Sequence, residues 1–391
     1  MIPTYLVMPT DLRIAVCQDF AALQGQRARW NELARGNPFL EFDWLRLWWQ
    51  NYGRNDDRAR PGHELQVVTV WRGETLLGAA PWYARQTIGE GRALRFLGSG
   101  EVCGDYLTLL CSPETQAEVV FAVTQWLIRD SLHAELWDLL ELNDVPGDDQ
   151  PLSQLVYQLQ AHGAWAEATP QQSTWRIDLS GGWEAYLATL SKSHRKEFRR
   201  CARQLDAGEY VYHKVTSDQN FAQGWSIFLD LHTKRRQSLG ETGCFVSQRF
   251  AAFHEQIARQ FLADHQLELS WITAAVEPDR PLAVEYHFGN ADGNFAYQSG
   301  LEPTALDQEP GRIATVAVVR DILARGGKFL DLLRGDEHYK QHYRAVPMKV
   351  VTWRIVPNRA MAQWRSRVTT AGVTLKRWLK NGLETLSLRE G

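Results

Sequence analysis

One order of elements occurs twice along these 391 residues, and it limits the fold more than any other feature. In the first half, residues 65–71 and 75–83 flank the turn Arg72-Gly73-Glu74 and predict a β-hairpin. Strand-like stretches at 93–98 and 106–111 surround a glycine-rich loop over 98–104. A helical pattern over 114–133, a buried strand at 136–142 and a second helix at 151–162 follow. In the second half, strands at 267–276, 281–288 and 293–300 are joined by Glu277-Pro-Asp-Arg280 and Asn290-Ala-Asp-Gly293, both strong turn sequences. A loop with Pro303 and Pro310 leads into a helix over 311–325 that Gly326-Gly327 ends. A buried strand at 328–333, a short helix at 336–344 and a strand at 349–356 complete the half. The repeated order predicts two related α/β domains that meet near residue 170.

Charge narrows the function. The 43 basic and 46 acidic side chains leave a net charge of −3, which argues against a globally basic DNA-binding protein. Five scattered cysteines form no C-x-x-C pair, which predicts neither a disulfide framework nor a zinc knuckle. No His/Asp/Cys cluster has ligand spacing, so no metal site is expected. The start of the sequence lacks a basic n-region, and no run approaches about 18 uncharged apolar residues. A cytoplasmic location is the expectation. Residues 358–391 stand apart. Trp364, Val368, Ala371, Leu375, Leu379 and Leu386 fall at helical spacing among Arg359, Arg365, Arg367, Lys376, Arg377 and Lys380. This basic amphipathic helix either docks on its own domain or meets a partner or the inner face of an anionic membrane as a peripheral contact.

The segment from Glu285 to Lys340 is richest in chemistry. Pro310 suits the first position of a helix. Gly311 there leaves backbone N–H groups open to an anion, and Arg312 adds a charge-assisted donor. Asp331 interrupts an apolar strand that ends in Arg334-Gly335-Asp336-Glu337, at the edge where α/β sheets commonly place ligands. The structural alternative is an Asp331–Arg334 or Asp336–Lys340 ion pair. A second basic cluster lies on the helix over 192–207. Lys192, Arg195, Lys196, Arg199, Arg200 and Arg203 share one face there and suit an anionic partner or a solvated surface.

Asp331-Leu-Leu-Arg-Gly-Asp-Glu-His-Tyr-Lys340, preceded by Pro310-Gly311 and a helix, resembles the closing motif of GNAT-fold acyltransferases of the Fem-like, cellulose-biosynthesis-associated class. Phe39-Leu-Glu-Phe-Asp-Trp44, Phe96-Leu-Gly-Ser-Gly100, Asp105-Tyr106-Leu107, Leu190-Ser-Lys-Ser-His-Arg-Lys-Glu-Phe-Arg-Arg200 and Leu231-His-Thr-Lys-Arg-Arg236 resemble other passages of that family. The resemblance covers about residues 12–356. It implies two tandem GNAT-like domains, 1–170 and 171–357, each a mixed, mostly antiparallel sheet flanked by helices. It implies an acyltransferase that uses acetyl-CoA or another acyl-CoA. The acceptor would be an amine or hydroxyl, for example on a small molecule, a cell-envelope or exopolysaccharide glycan, or a lipid-linked sugar.

In that reading Gly311, Arg312, Arg334 and Lys340 bind the donor. Glu285 or Asp336 is the base and Tyr339 the acid for the leaving thiolate. His287, Tyr297, Gln298, Asp331 and Arg195 line the acceptor side. Two alternatives accompany it: a Fem-like transferase that takes aminoacyl-tRNA as donor, and a catalytically inactive GNAT scaffold in an envelope-polysaccharide complex.

Overall fold

The computed structural model describes residues 11–53, 63–129 and 137–368. The first half forms β1 (Leu12–Cys17), α1 (Arg27–Ala34), α2 (Phe42–Trp48), β2 (His63–Arg72), β3 (Thr75–Thr87), β4 (Gly91–Phe96), β5 (Leu110–Cys111), α3 (Gln116–Arg129), β6 (Leu139–Pro146), α4 (Gln150–Ala161) and β7 (Trp165–Pro170). The second forms β8 (Thr174–Asp178), α5 (Gly182–Thr189), α6 (Lys192–Asp206), β9 (Tyr210–Lys214), α7 (Asp218–Ser238), α8 (Gln248–Ala263) and β10 (Leu267–Ala274). It continues with β11 (Glu277–Gly289), β12 (Gly293–Leu301), α9 (Pro310–Ala324), β13 (Phe329–Arg334), α10 (His338–His342), β14 (Val346–Met348) and β15 (Val350–Val356). The helix expected over 358–391 is described over 360–368, and the remainder lies outside the described residues.

Two mixed sheets carry these elements. One runs β1-β2-β3-β4-β6-β15-β7, with β5 on β3, and the other β14-β8-β13-β12-β11-β10-β9. Each has one parallel step, β4 to β6 and β12 to β13, because a helix (α3 or α9) carries the chain back across the sheet. Both parallel pairings last only three residues: Ala93–Arg95 on Leu139–Glu141, and Gly293–Phe295 on Phe329–Asp331. Beyond them the strands diverge and open a wedge.

The domain boundary is not a single point near residue 170. The strand expected to close the second domain, β15, leaves β14 after one residue, Lys349, and enters the first sheet between β6 and β7. β7 belongs to the first sheet, and β8, a few residues later, pairs with β13 in the second. The chain therefore crosses between the sheets twice. Apolar alternation identifies a strand without saying which sheet it joins. The turn expected at Glu277–Arg280 also sits elsewhere: Ala275-Val276 makes it, and β11 begins at Glu277.

A shared core locks the halves together. α2 is buried on nearly every side, as a helix between two packed bodies must be. Trp44 meets Phe253 edge-on at 4.9 Å and Phe288 at 5.4 Å, so an aromatic residue of the first half sits in the core of the second. Asp43 is buried there against Arg27 (2.5 Å) and Arg46 (2.7 Å), and Arg27 also reaches Asp264. Gly300 has no room for a Cβ, which would stand 2.4 Å from the His232 backbone nitrogen, so α7 lies directly on β12.

Glu41 supplies a pH test of this interface. It is buried and accepts a 2.5 Å hydrogen bond from Gln266, yet burial, helped by Asp264, pushes its pKa up to about 7. A carboxyl raised in the folded state stabilises fully below its unfolded pKa, and that contribution is lost as pH rises through the folded value. Glu41→Gln should therefore flatten the loss of stability between about pH 4.5 and about pH 7, by about 3 kcal/mol at pH 8. Unfolding of both proteins across that range checks it. Parallel curves would contradict a raised pKa.

Candidate active site

The wedge between β12 and β13 is held open by Asp331. Its Oδ1 accepts the Leu333 N–H at 2.8 Å, which bends the strand through a left-handed Leu333 (φ 53°) and carries Leu332–Arg334 away from β12. A buried carboxylate needs partners. Tyr106 donates to its Oδ2 at 2.7 Å and Arg176 at 2.9 Å. Asp331 is fully buried and does not border the cavity, so its place is in the scaffold and not among acceptor ligands.

The wedge leads into a cavity of about 550 Å³, in the usual size range for a ligand site. Glu285, His287, Tyr297, Gln298, Gly311, Arg312, Arg334, Tyr339 and Lys340 all border it. Sequence reasoning missed Glu101 and Cys103 from the first domain, Arg235 and Cys244 near the end of α7, and Tyr343. Asp336 and Arg195 lie elsewhere. Asp336 is exposed and accepts a 3.4 Å bond from Trp175, which removes it as a rival base in this cavity. Arg195 donates to the carbonyls of Leu187, Ala188 and Leu190, where α5 ends without partners of its own.

Glu285 and His287 alternate on β11 and face the same side. The Glu285 carboxylate lies 3.0 Å from His287 Nε2. His287 is buried, and its Nδ1 has no hydrogen-bond partner among the described residues. Opposite this pair, β12 bulges: Tyr286 faces Gln298 and His287 faces Ala296, so Tyr297 is the extra residue. Its hydroxyl donates to the Val102 carbonyl at 2.5 Å, tying the bulge to the first domain. Past Phe295, the edge of β12 that faces β13 has lost its strand partner, so backbone groups of Ala296–Ser299 edge the cavity.

Two phenols stand near Glu285. Desolvation around its hydroxyl, then the carboxylates of Glu337 and Glu285, raise the Tyr339 pKa above the usual phenol value, although the residue as a whole is 47% exposed. Burial also raises Tyr343, whose hydroxyl is near Thr315. Both stay protonated at neutral pH and can donate. Their rings pack edge-on at 5.7 Å. On the α7 side, burial and then Arg236 lower His232 to about 4, and its Nε2 is 3.9 Å from the Cys244 sulfur. Burial pushes the Cys244 thiol up to about 11, so it rests protonated.

The cationic residues are mostly engaged. Lys340 is buried and donates to the carbonyls of Leu333, Arg334 and Gly335 at 2.8–3.2 Å, with Glu337 at 2.9 Å. An ammonium has three donors, so those contacts use it fully. Arg334 bridges Asp105 (2.7 Å) and Asp144 (3.0 Å) of the first domain. At the start of α9, Glu309 adopts a left-handed backbone (φ 55°), and its carboxylate sits between Arg312 and Arg200. A carboxylate of the chain thus pairs both arginines beside the helix start, while accepting no backbone N–H of α9 itself.

Residues 192–341 match a family model described as an acetyltransferase (GNAT) domain. A crystal structure of FemX superposes with a TM-score of 0.56 at 10% identity, over 82% of this chain and 96% of that one. The fold is a tandem of two GNAT-like domains. A tandem GNAT protein from the clavulanic acid biosynthesis pathway aligns at 13% identity with a TM-score of 0.41, covering 88% of this chain and 98% of that one. The C-terminal domain of a putative lysylphosphatidylglycerol synthetase from Agrobacterium fabrum aligns at 9% identity with a TM-score of 0.44, over 74% and 85% of the two chains. No curated protein sequence matches. The GNAT match begins with α6 and ends in α10, so it spans the wedge, the Glu285–His287 pair and the α9 start.

Proposed function

We propose that the chain transfers an acyl group from a CoA thioester to an amine or hydroxyl in the cavity, with the Glu285–His287 pair as the proton acceptor. The observation that carries this is the pair itself, a carboxylate 3.0 Å from a buried imidazole on the floor of an opened wedge, with protonated tyrosines beside it. Acyl transfer needs a base for the attacking group, donors for the developing oxyanion and an acid for the leaving thiolate. Glu285 takes the proton, with His287 fixing its orientation. Unpaired backbone N–H groups on the β12 edge suit the oxyanion. The C–S bond then breaks, and Tyr339 or Tyr343 protonates the departing sulfur. Glu101, Cys103 and Arg235 border the cavity from the first domain and α7, where the acceptor would enter. A cell-envelope or exopolysaccharide sugar is the acceptor class that the family resemblance favours.

Gly311 and Arg312 would hold the donor's pyrophosphate once it displaces the Glu309 carboxylate. That exchange gives a direct test by titration calorimetry with acetyl-CoA and a longer acyl-CoA. Wild type should bind, Gly311→Glu should not, and Glu309→Gln should bind roughly tenfold more tightly because the competing anion is gone. No binding by wild type and by Glu309→Gln would overturn a CoA donor. One observation favours a second reading, transfer from aminoacyl-tRNA: Arg200 and Arg312 beside the α9 start are already paired with Glu309, which leaves a CoA pyrophosphate no ready-made cation there. Salt-sensitive tRNA binding to α6 would mark it.

A further inference from the structure

We propose that the end of the first domain formed by helix 360–368 and the β3–β4 turn docks on an anionic membrane surface. The helix is turned inside out relative to an ordinary surface helix. Ala362 is buried, and Arg359 and Arg365 point inward to Asp138 at 3.2 and 2.9 Å. Met361, Trp364 and Val368, spaced to share one face, are 59%, 60% and 52% exposed. Of the two alternatives the sequence leaves open, docking of the apolar face on its own domain does not describe Met361, Trp364 and Val368.

Two further elements add to the same end. Ile88, at the tip between β3 and β4, is 100% exposed. That tip abuts the helix, since a Cβ on Gly91 would stand 2.5 Å from Arg365 Nη1. Trp165 is 46% exposed on β7 and pairs with Val356, just before the helix. No helix among the described residues is long and apolar enough to cross a membrane.

Charge selects the occupant. Residues 358–391 hold seven Lys or Arg and two Glu in a chain of net charge −3, so the stretch of sequence that carries the exposed apolar face is strongly basic. A second copy on the same face would bring like charges together. A bilayer with anionic headgroups takes tryptophan at its interface and lysine and arginine at its phosphates. The surface is independent of the catalytic proposal.

Flotation of the full chain with vesicles tests it. The protein should float with vesicles of equal parts phosphatidylcholine and phosphatidylglycerol, fall off in high salt and ignore pure phosphatidylcholine. Met361→Ser with Trp364→Ser should weaken binding at least about tenfold without altering thermal unfolding, since both side chains are exposed. Absence of flotation on the anionic vesicles, or a double variant that floats like wild type, would overturn the proposal. So would a dimer in solution that the double variant converts to monomer, which would assign the face to a second copy.

Discussion

Glu285→Gln should lower turnover by about 10²–10⁴-fold, the usual contribution of a positioned base, while acyl-CoA binding and thermal unfolding stay at wild-type values. Glutamine has the shape of glutamate and can still hydrogen-bond His287 Nε2, so the pair keeps its geometry but cannot take a proton. His287→Ala should lose less activity, because it removes an orienting partner and leaves the carboxylate. If Glu285→Gln keeps full turnover, the base lies elsewhere. If it fails to fold, the Glu285–His287 contact is structural first. His287→Ala then separates the cases, since a structural role would lower stability in both variants alike.

Arg334→Met should destabilise the whole chain by about 3–5 kcal/mol, the usual cost of stripping one partner from a buried ionic network. Asp105 and Asp144, both buried, would lose the cation that pairs them across the domain boundary. The effect has a pH signature. Burial, against the pull of Arg334, already raises Asp105 to about 6. Its stabilising contribution is present below the unfolded carboxyl range and disappears as pH rises through about 6. Without Arg334 the folded value climbs further. Arg334→Met should therefore be mild at pH 5 and severe at pH 8. Adding Asp105→Asn should recover part of the loss, because the uncompensated charge is gone. A pH-independent loss would point to packing and not to charge.

What the sequence could show depended on what held each element in place. α4 and α9 were legible because their starts are written locally: Asp149 caps Leu152 at 2.8 Å, and Pro310 opens α9. β7 and β9 were not foreseen. β7 is exposed along most of its length, and both strands sit at sheet edges, so neither carries a clean buried alternation. β15 was legible as a strand but not as a member of the first sheet.

The same division runs through the candidate site. Glu285 and His287 share a strand face, and spacing alone brings them together. Arg334 and Asp331 drew notice as polar residues in an apolar strand, but their partners Asp105, Tyr106 and Arg176 lie 155–229 positions away, beyond any local pattern. Asp336 looked like a base because it follows a strand end, yet the backbone turns it out to solvent. Glu309 was not singled out, since only one of its two arginines, Arg312, is a local neighbour and the other, Arg200, lies 109 positions away.

The most direct test of the central claim is release of free CoA from acetyl-CoA, followed by mass spectrometry in the presence of amine and amino-sugar acceptors. Wild type should release CoA in step with an acetylated acceptor. Glu285→Gln should bind the thioester equally well and release almost none. Equal CoA release by the two proteins, or wild type that neither binds nor turns over the thioester, would contradict acyl transfer by this cavity.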